Sequence, residues 1–151
     1  MPQSFLNKKV LIALTVTGLV AKIAQLQMFA RNNFEITPEQ YIILAILVEN
    51  GELYQRQIAE IAYKDRPNIT RLINILEKKG LVKRVEDVQK RKVFKIVITK
   101  KGVEIHQKIR PYMLELHNSA VNGITKEELE SCIDTLGKML DNLEPKTKLQ
   151  T

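Results

Sequence analysis

Apolar positions follow helical spacing along most of the chain. The first stretch runs from near Ser4 to Arg31 and ends at Asn32 and Asn33, residues that tolerate turn geometry. The segment Thr37–Gln40 (TPEQ) is a capping box, with proline in the first helical position. The helix that it opens, over 41–49, is apolar on nearly all sides. We therefore expect two helices in the first third of the chain, the second of them in the core.

Two short helices joined by a tight turn follow, over Gln55–Ala62 and from Asp65 to Lys79. Asp65 is the expected N-cap of the second helix, and Gly80 is placed for a left-handed C-terminal cap. The pair is typical of a helix-turn-helix. In the first helix we expect the inward positions to be Ile58, Ala59, Ile61 and Ala62. At 100° per residue, the buried face of the second helix is predicted to consist of Ile69, Leu72, Ile73 and Leu76.

Beyond Gly80 the residue types change from helix-forming to strand-forming. Leu81–Val85 and Val93–Ile98 are rich in β-branched and aromatic residues, and a charged loop without glycine or proline separates them. We therefore predict a two-stranded ribbon with a projecting loop. Thr99 should cap a fifth helix, which we expect to kink or break just before Pro111. A second capping box, at Thr125–Glu128, opens the last helix.

The positive charge of the chain is concentrated in one segment. The 151 residues carry a net charge of +7, but residues 64–101 alone hold 13 Lys or Arg and 4 Asp or Glu, a balance of +9. The rest of the chain therefore sums to −2. A solvated lysine-rich surface is one interpretation. The basic segment coincides with the helix-turn-helix and the ribbon, however, and these elements are shaped to meet a DNA duplex.

Opposite its buried face, the second helix of this pair carries residues that can recognise base edges. Arginine can bridge guanine O6 and N7, and asparagine can bridge adenine N6 and N7, so we predict that Thr70, Arg71 and Asn74 contact bases. Positively charged side chains nearby are expected to contact phosphates or the minor groove. The predicted DNA-binding residues are Arg66, Asn68, Thr70, Arg71, Asn74 and Lys78 on the helix, and Arg84, Lys90, Arg91 and Lys92 in the ribbon and its loop. Of these, Arg66, Lys78 and Arg84 are expected to position phosphates.

The last helix carries an apolar stripe with the alternating three- and four-residue steps of a coiled-coil seam. The stripe is our predicted dimer interface, although packing within one chain would give the same pattern. Its members are Leu129, Cys132, Leu136, Met139 and Leu143.

This order of elements resembles the MarR family of bacterial winged-helix transcription regulators. The most specific matches are NITRLINILEKKGLVKR at 68–84 and ITKKG at 98–102. The resemblance implies a homodimer held by its N- and C-terminal helices, with two winged lobes on a pseudo-palindromic operator. It also implies relief of repression by a small aromatic acid or phenolic compound near the junction of lobe and dimer helices, or by cysteine oxidation. The chain departs from the family at Lys90, where an aspartate usually helps to organise the wing arginines.

Other chemistry has little support in the sequence. Cys132 cannot form an internal disulfide or a cysteine-only zinc site, and on its apolar stripe we interpret it as a core or interface residue in a reducing cytoplasm. His106 and His117 would lie roughly 16 Å apart along a helix, too far to share a metal, and we expect surface or interface positions for both. No glycine-rich phosphate loop or catalytic triad is visible. We predict no enzyme activity, no cofactor and no metal.

The longest uncharged apolar stretch, Val10–Ala21, has twelve residues, whereas a membrane span needs about 20. Its periodicity continues past Lys22, which favours a long helix over a cleaved signal peptide. We therefore expect no membrane association.

The prediction is a single domain over 1–151, mainly α with a small β-wing. A winged helix-turn-helix lobe would span 36–99, dimerisation helices 1–35 and 100–145, and a frayed tail 146–151. The predicted function is a cytoplasmic regulator that binds double-stranded DNA sequence-specifically as a homodimer, as a ligand-responsive repressor. Two alternatives remain open at this point: a winged-helix module that binds an acidic protein, and a small-molecule-binding protein without a DNA role.

Overall fold

A computed structural model describes residues 2–90 and 92–147. Its described elements are six helices and three short strands. In chain order they are α1 (Gln3–Arg31), α2 (Pro38–Asn50), β1 (Leu53–Tyr54), α3 (Gln55–Ala62), α4 (Arg66–Lys78), β2 (Val82–Glu86), β3 (Phe94–Ile98), α5 (Lys100–Ala120) and α6 (Lys126–Thr147).

Side-chain caps determine where four of the helices begin. Thr37 accepts a hydrogen bond from the backbone N–H of Gln40, whose side chain accepts one from the Thr37 N–H, so the predicted capping box is present. Asp65 and Thr99 cap α4 and α5 with a single bond each, which their side chains accept from the backbone N–H three residues later, and a second capping box at Thr125 opens α6. These side chains satisfy N–H groups that would otherwise lack partners in the first turn.

The hydrophobic core lies inside a lobe made by α2 to α5 and the strands. All four residues predicted for the buried face of α4 are at most 1 % exposed. The largest fully buried side chains of the lobe are Ile43, Leu44, Leu47, Ile58, Ile69, Leu72, Ile73, Leu76, Leu81, Val82, Ile96 and Ile109. The C-terminal end of α1 joins this core through Phe29.

His106 also lies in the core, and its predicted place at the surface or an interface is wrong. The side chain is 8 % exposed, and its ring stacks on Tyr41 with centroids 5.3 Å apart. Positions 102, 106 and 109 share one face of α5, and this face packs on the lobe. Burial, followed by the charge of Arg110, lowers the pKa of His106.

The strands form one antiparallel sheet in the order β1–β3–β2. The predicted ribbon is present as β2 and β3, with Val82 opposite Ile98 and Glu86 opposite Phe94. The expectation of two strands was incomplete, because Leu53 and Tyr54 add a third strand beside β3. Two residues are too few to show an alternating pattern, so this strand is formed through its pairing with Ile96 and Lys95.

Three further details differ from the predictions. Ile61 is 51 % exposed rather than inward, because α3 packs mainly through Ile58 and Ala59. Pro111 does not break α5, which continues as one helix to Ala120. Residues 146 and 147, expected in a frayed tail, continue α6; residues 148–151 lie outside the described part of the chain.

The first and last helices extend beyond the lobe with their apolar side chains exposed. The large exposed hydrophobic residues of α1 are Phe5, Leu6, Val10, Leu11, Ile12, Leu14, Val16, Leu19, Val20, Ile23 and Leu26. Those of α6 are Ile133, Leu136, Leu140 and Leu143. Cys132, expected in a core or interface, is exposed in the single chain.

Helix α1 has the length and composition of a membrane-crossing helix, with a mean hydropathy of 1.6 over 18 residues. Any 18-residue stretch of α1 includes charged residues, because its longest uncharged stretch, Val10–Ala21, has twelve residues. The core helix of a soluble protein can have the same length and composition. The hydropathy of α1 alone is therefore weak evidence for a membrane span.

Candidate nucleic-acid interface

Helix α4 exposes a polar and positively charged face directly opposite its buried face. Five of the six residues predicted on this helix surround one shallow, open recess; they are Arg66, Thr70, Arg71, Asn74 and Lys78. The sixth, Asn68, lies beside it in the first turn. The four core residues of the helix fix its rotation, so this face is held towards solvent.

Arg71 has two partners on the lobe. Its guanidinium donates to Asn68 Oδ1 at 2.8 Å, and Nη2 lies 4.0 Å from a carboxylate oxygen of Glu39. Glu39 also accepts a hydrogen bond of 2.9 Å from Lys64 Nζ, and this bond lowers the pKa of the Glu39 carboxyl. The Arg71 side chain remains 59 % exposed. It is therefore oriented by its neighbours and still accessible to a ligand.

Asn74 is bonded to a residue of the ribbon. Its side-chain oxygen Oδ1 accepts a hydrogen bond of 2.8 Å from Arg84 Nη2. The other arm of the same guanidinium, Nη1, pairs with Glu77, which also accepts from the Arg84 backbone N–H at 3.3 Å. The predicted phosphate-contacting Arg84 is thus engaged within the lobe, with its side chain 27 % exposed.

Thr70 connects α4 to the start of α3. Its hydroxyl accepts a hydrogen bond from Gln55 Nε2 and donates one to the backbone oxygen of Arg66 at 2.9 Å. All three predicted base-contacting residues, Thr70, Arg71 and Asn74, therefore have side-chain partners in the unbound chain.

The wing, the loop and strand ends over 86–93, is anchored by Asp87. The hydroxyl of Tyr54 and the backbone N–H of Gln89 both donate to its carboxylate, and these bonds lower the pKa of Asp87. The same bond to Asp87 raises the pKa of Tyr54. Asp87 is thus a carboxylate that organises this wing. It does not stand at the position where the resembled family usually has its wing aspartate, because that position is Lys90 in this chain.

Two lysines, Lys90 of the wing and Lys95 of β3, lie next to the ring of Tyr54. Lys90 Nζ and Lys95 Nζ lie 5.2 and 5.8 Å from the centre of its ring, within the range of cation–π attraction. Lys92, with a φ of 64°, is exposed, and its N–H donates to Glu86. Arg91, predicted to contact DNA, lies outside the described residues.

The base of the wing is tied to α5. Thr99, the N-cap of α5, donates its hydroxyl hydrogen to the Gly80 carbonyl at 2.7 Å, and its backbone N–H donates to Leu81 O at 3.0 Å. Gly80 has a φ of +71°, the left-handed cap predicted for it. The start of β2 and the end of β3 are therefore held together next to α4.

The sequence prediction missed Glu39, Tyr54, Gln55, Glu77 and Asp87 as partners of the interface. Three of them precede the positively charged segment 64–101, and the two inside it are acidic. A search for positive charge therefore identifies none of the five. Their contacts join positions 7 to 33 residues apart, and no periodic pattern reveals such pairs.

Comparison with known proteins places this geometry in a family. The sequence profile of the MarR family matches residues 36–94, which span α2 to the start of β3. The Bacillus subtilis protein YybA, an uncharacterised HTH-type transcriptional regulator, is 30% identical over 112 residues, or 74% of this chain and 75% of YybA. The chain belongs to the MarR family.

Solved structures of MarR proteins have the same fold. A MarR family regulator from Silicibacter pomeroyi superimposes with a TM-score of 0.77 over 94% of both chains, at 24% identity. BpsR from Bordetella bronchiseptica, whose DNA binding is regulated by 6-hydroxynicotinic acid, has a TM-score of 0.68 at 19% identity and covers 83% of this chain and 98% of its own. As a member of the MarR family, this chain is a DNA-binding transcription regulator and, as predicted, not an enzyme.

Proposed function

We propose that this MarR protein is a ligand-responsive repressor that binds a pseudo-palindromic operator as a homodimer. The observation that carries the proposal is the exposed face of α4, where Thr70, Arg71 and Asn74 lie together while the opposite face is buried. An α-helix fits the major groove, and arginine and asparagine can hydrogen-bond base edges there. A regulator of this kind works where the chromosome lies, in the cytoplasm.

Phosphate contacts would come from cations that flank this face. Arg66 and Lys78 are exposed near the two ends of α4, and Lys90 and Lys92 are exposed on the wing. These positions allow α4 to enter one groove while the wing meets the neighbouring backbone. Such contacts position the protein on the duplex without distinguishing sequences.

The exposed apolar surfaces of α1 and α6 support the homodimer. An apolar surface of this extent on a soluble chain marks an interaction site, and a helix that is apolar on all sides is normally buried. The N-terminal halves of the two helices line an open groove of about 730 Å³, in which Cys132, Leu136 and Met139 of the predicted interface face Val10 and Leu14. A second copy that covers this groove would bury both helices.

A pocket of about 490 Å³ between α1, α2 and α4 supports a response to a small molecule. Its wall combines apolar residues such as Leu26 and Ile42 with three cations, Lys22, Lys64 and Arg71, and one carboxylate, Glu39, which pairs with Lys64 and Arg71. The charged residues of the wall therefore carry a net positive charge. This combination suits an aromatic acid, the class of compound to which BpsR responds. Because Arg71 also lies on the DNA-facing surface, a bound carboxylate would compete with DNA for the same guanidinium.

Arg71→Ala tests the proposal. If Arg71 contacts bases, the variant loses about 1–3 kcal/mol of discrimination between a duplex selected from a random pool and an unselected duplex. Folding stability should change by less than about 1 kcal/mol, because the Glu39 pair is long and Arg71 is largely exposed. Fluorescence anisotropy with both duplexes measures the discrimination.

Lys138→Ala is the matched control. It removes one positive charge of similar exposure from α6, where Lys138 pairs with Asp134 at 2.7 Å, and should leave the discrimination unchanged. Equal weakening of all duplexes by Arg71→Ala would show that this side chain contacts only phosphates.

A further inference from the structure

Arg84 and Asn74 form a contact that bears on sequence preference. Arg84 projects from β2 across to α4, where Asn74 and Glu77 are three residues apart and therefore adjacent on one face. One arm of its guanidinium pairs with Glu77, and the other donates to Asn74 Oδ1 at 2.8 Å. The group is planar and rigid, so fixing Nη1 at Glu77 also fixes where Nη2 lies.

This contact sets the orientation of the Asn74 carboxamide. Arginine only donates hydrogen bonds, so the Asn74 atom that faces it must be the acceptor Oδ1. The donor Nδ2 is then on the other side of the carboxamide and has no hydrogen-bond partner among the described residues. With Asn74 exposed on the recess of α4, its two N–H hydrogens are available to an incoming ligand.

We propose that Arg84 is a positioning residue that holds Asn74 as a hydrogen-bond donor and thereby selects guanine at the base pair facing it. Guanine presents two major-groove acceptors, O6 and N7. The bidentate asparagine–adenine pair needs Oδ1 to accept from the adenine amino group and Nδ2 to donate. Arg84 already takes one lone pair of Oδ1, and its positive charge beside that oxygen repels a second donor. The adenine contact expected for a free asparagine is therefore disfavoured. This inference rests on the proposed DNA-binding function.

The test compares wild type, Arg84→Lys, Asn74→Ala and the double variant by selection from a random duplex pool. The position that faces Asn74 is the one whose preference flattens in Asn74→Ala. Anisotropy with the four possible base pairs at that position then gives the discrimination. Lysine keeps the charge of Arg84 but cannot hold Glu77 and Asn74 at once, so phosphate attraction is preserved while the orientation of Asn74 is lost.

We expect wild type to prefer guanine over adenine at that position by about fivefold or more, the lower end of a base-specific contact. Arg84→Lys should lose this preference and bind adenine at that position more tightly than wild type does. Its base preferences at the other positions should not change. In the Asn74→Ala background it should have no further effect, because Arg84 acts through Asn74. If Arg84 were needed only for folding, its substitution would weaken the base preference at every position together.

Three results would overturn the inference. They are an adenine preference in wild type, an unchanged preference in Arg84→Lys, and additive effects in the double variant. Should Arg84→Lys not fold, Glu77→Gln provides the same comparison, because it removes the charge that holds the guanidinium and should weaken the guanine preference alone. If wild type enriches no sequence, the proposed function fails; an enriched sequence with any of these three results refutes only the role of Arg84.

Discussion

Gly102, in the first turn of α5, is the position where the smallest change should have a large effect. A methyl group added there would meet the Leu81 carbonyl oxygen at a forbidden distance and lie 2.7 Å from Ile98 Cγ1. The oxygen cannot easily move away, because it accepts a hydrogen bond from Thr99 at the base of the wing. Gly102→Ala should therefore push α5 and the wing strands apart.

The size of the effect follows from two opposing contributions. Non-bonded carbon contacts are normally about 3.5 Å, so the backbone must shift by roughly 1 Å, and overpacking of this kind costs up to about 3 kcal/mol. Replacing glycine with alanine in a helix stabilises the folded state by about 1 kcal/mol, because alanine has the higher helix propensity. We expect a net destabilisation of about 2 kcal/mol, which lowers the melting temperature of a chain of this length by roughly 4–8 °C.

Gly137→Ala is the matched control, since Gly137 is also in a helix and an added Cβ would have no atom within 4 Å in the single chain. This variant should gain up to about 1 kcal/mol. Thermal melts followed by circular dichroism, at one protein concentration because a dimer's stability depends on it, measure both changes. If Gly102→Ala is as stable as wild type, the close packing of α5 on Leu81 is wrong.

Three further substitutions test separate parts of the structure. Lys90→Ala should reduce the slope of log affinity against log salt by about 1 with base preference unchanged, and a changed preference would contradict a phosphate contact. Leu136→Lys, at a half-exposed position in the α1–α6 groove, should shift sedimentation from dimer to monomer; an unchanged dimer would place the interface elsewhere. Because burial lowers the folded-state pKa of His106, the stability that it contributes is complete above about pH 6.5 and is lost as pH falls through the folded pKa. His106→Phe, which keeps a ring on Tyr41, should flatten this loss in denaturant titrations between pH 7.5 and 5, and an equally steep loss would exclude His106 as its source.

The N-terminal ends of α2, α4 and α5 and the buried face of α4 could be predicted from the sequence because local chemistry determines them. Thr37, Asp65 and Thr99 act on N–H groups within three residues, and the spacing of apolar residues fixes which side of α4 is buried. The same spacing identified Arg71 and Asn74 as exposed residues of that helix.

The partners of these residues could not be predicted, because the contacts depend on how elements pack. Asp87 finds Tyr54 only once β1 pairs with β3, and Arg84 reaches Asn74 only after β2 returns beside α4. Charge counting treated Arg84 as one more cation for phosphates, whereas its neighbours engage both arms of the guanidinium. The orientation of a polar side chain thus depends on tertiary contacts and cannot be predicted from a helical wheel.

Selection of bound sequences from a random duplex pool, with the full-length wild-type protein, tests the central claim most directly. A homodimer that places two α4 helices in successive major grooves predicts an enriched pseudo-palindrome with half-site centres about 10–10.5 base pairs, or roughly 34 Å, apart. Enrichment of a single unrepeated motif would contradict the dimeric mode of binding. A pool without any enriched sequence would contradict sequence-specific recognition by α4.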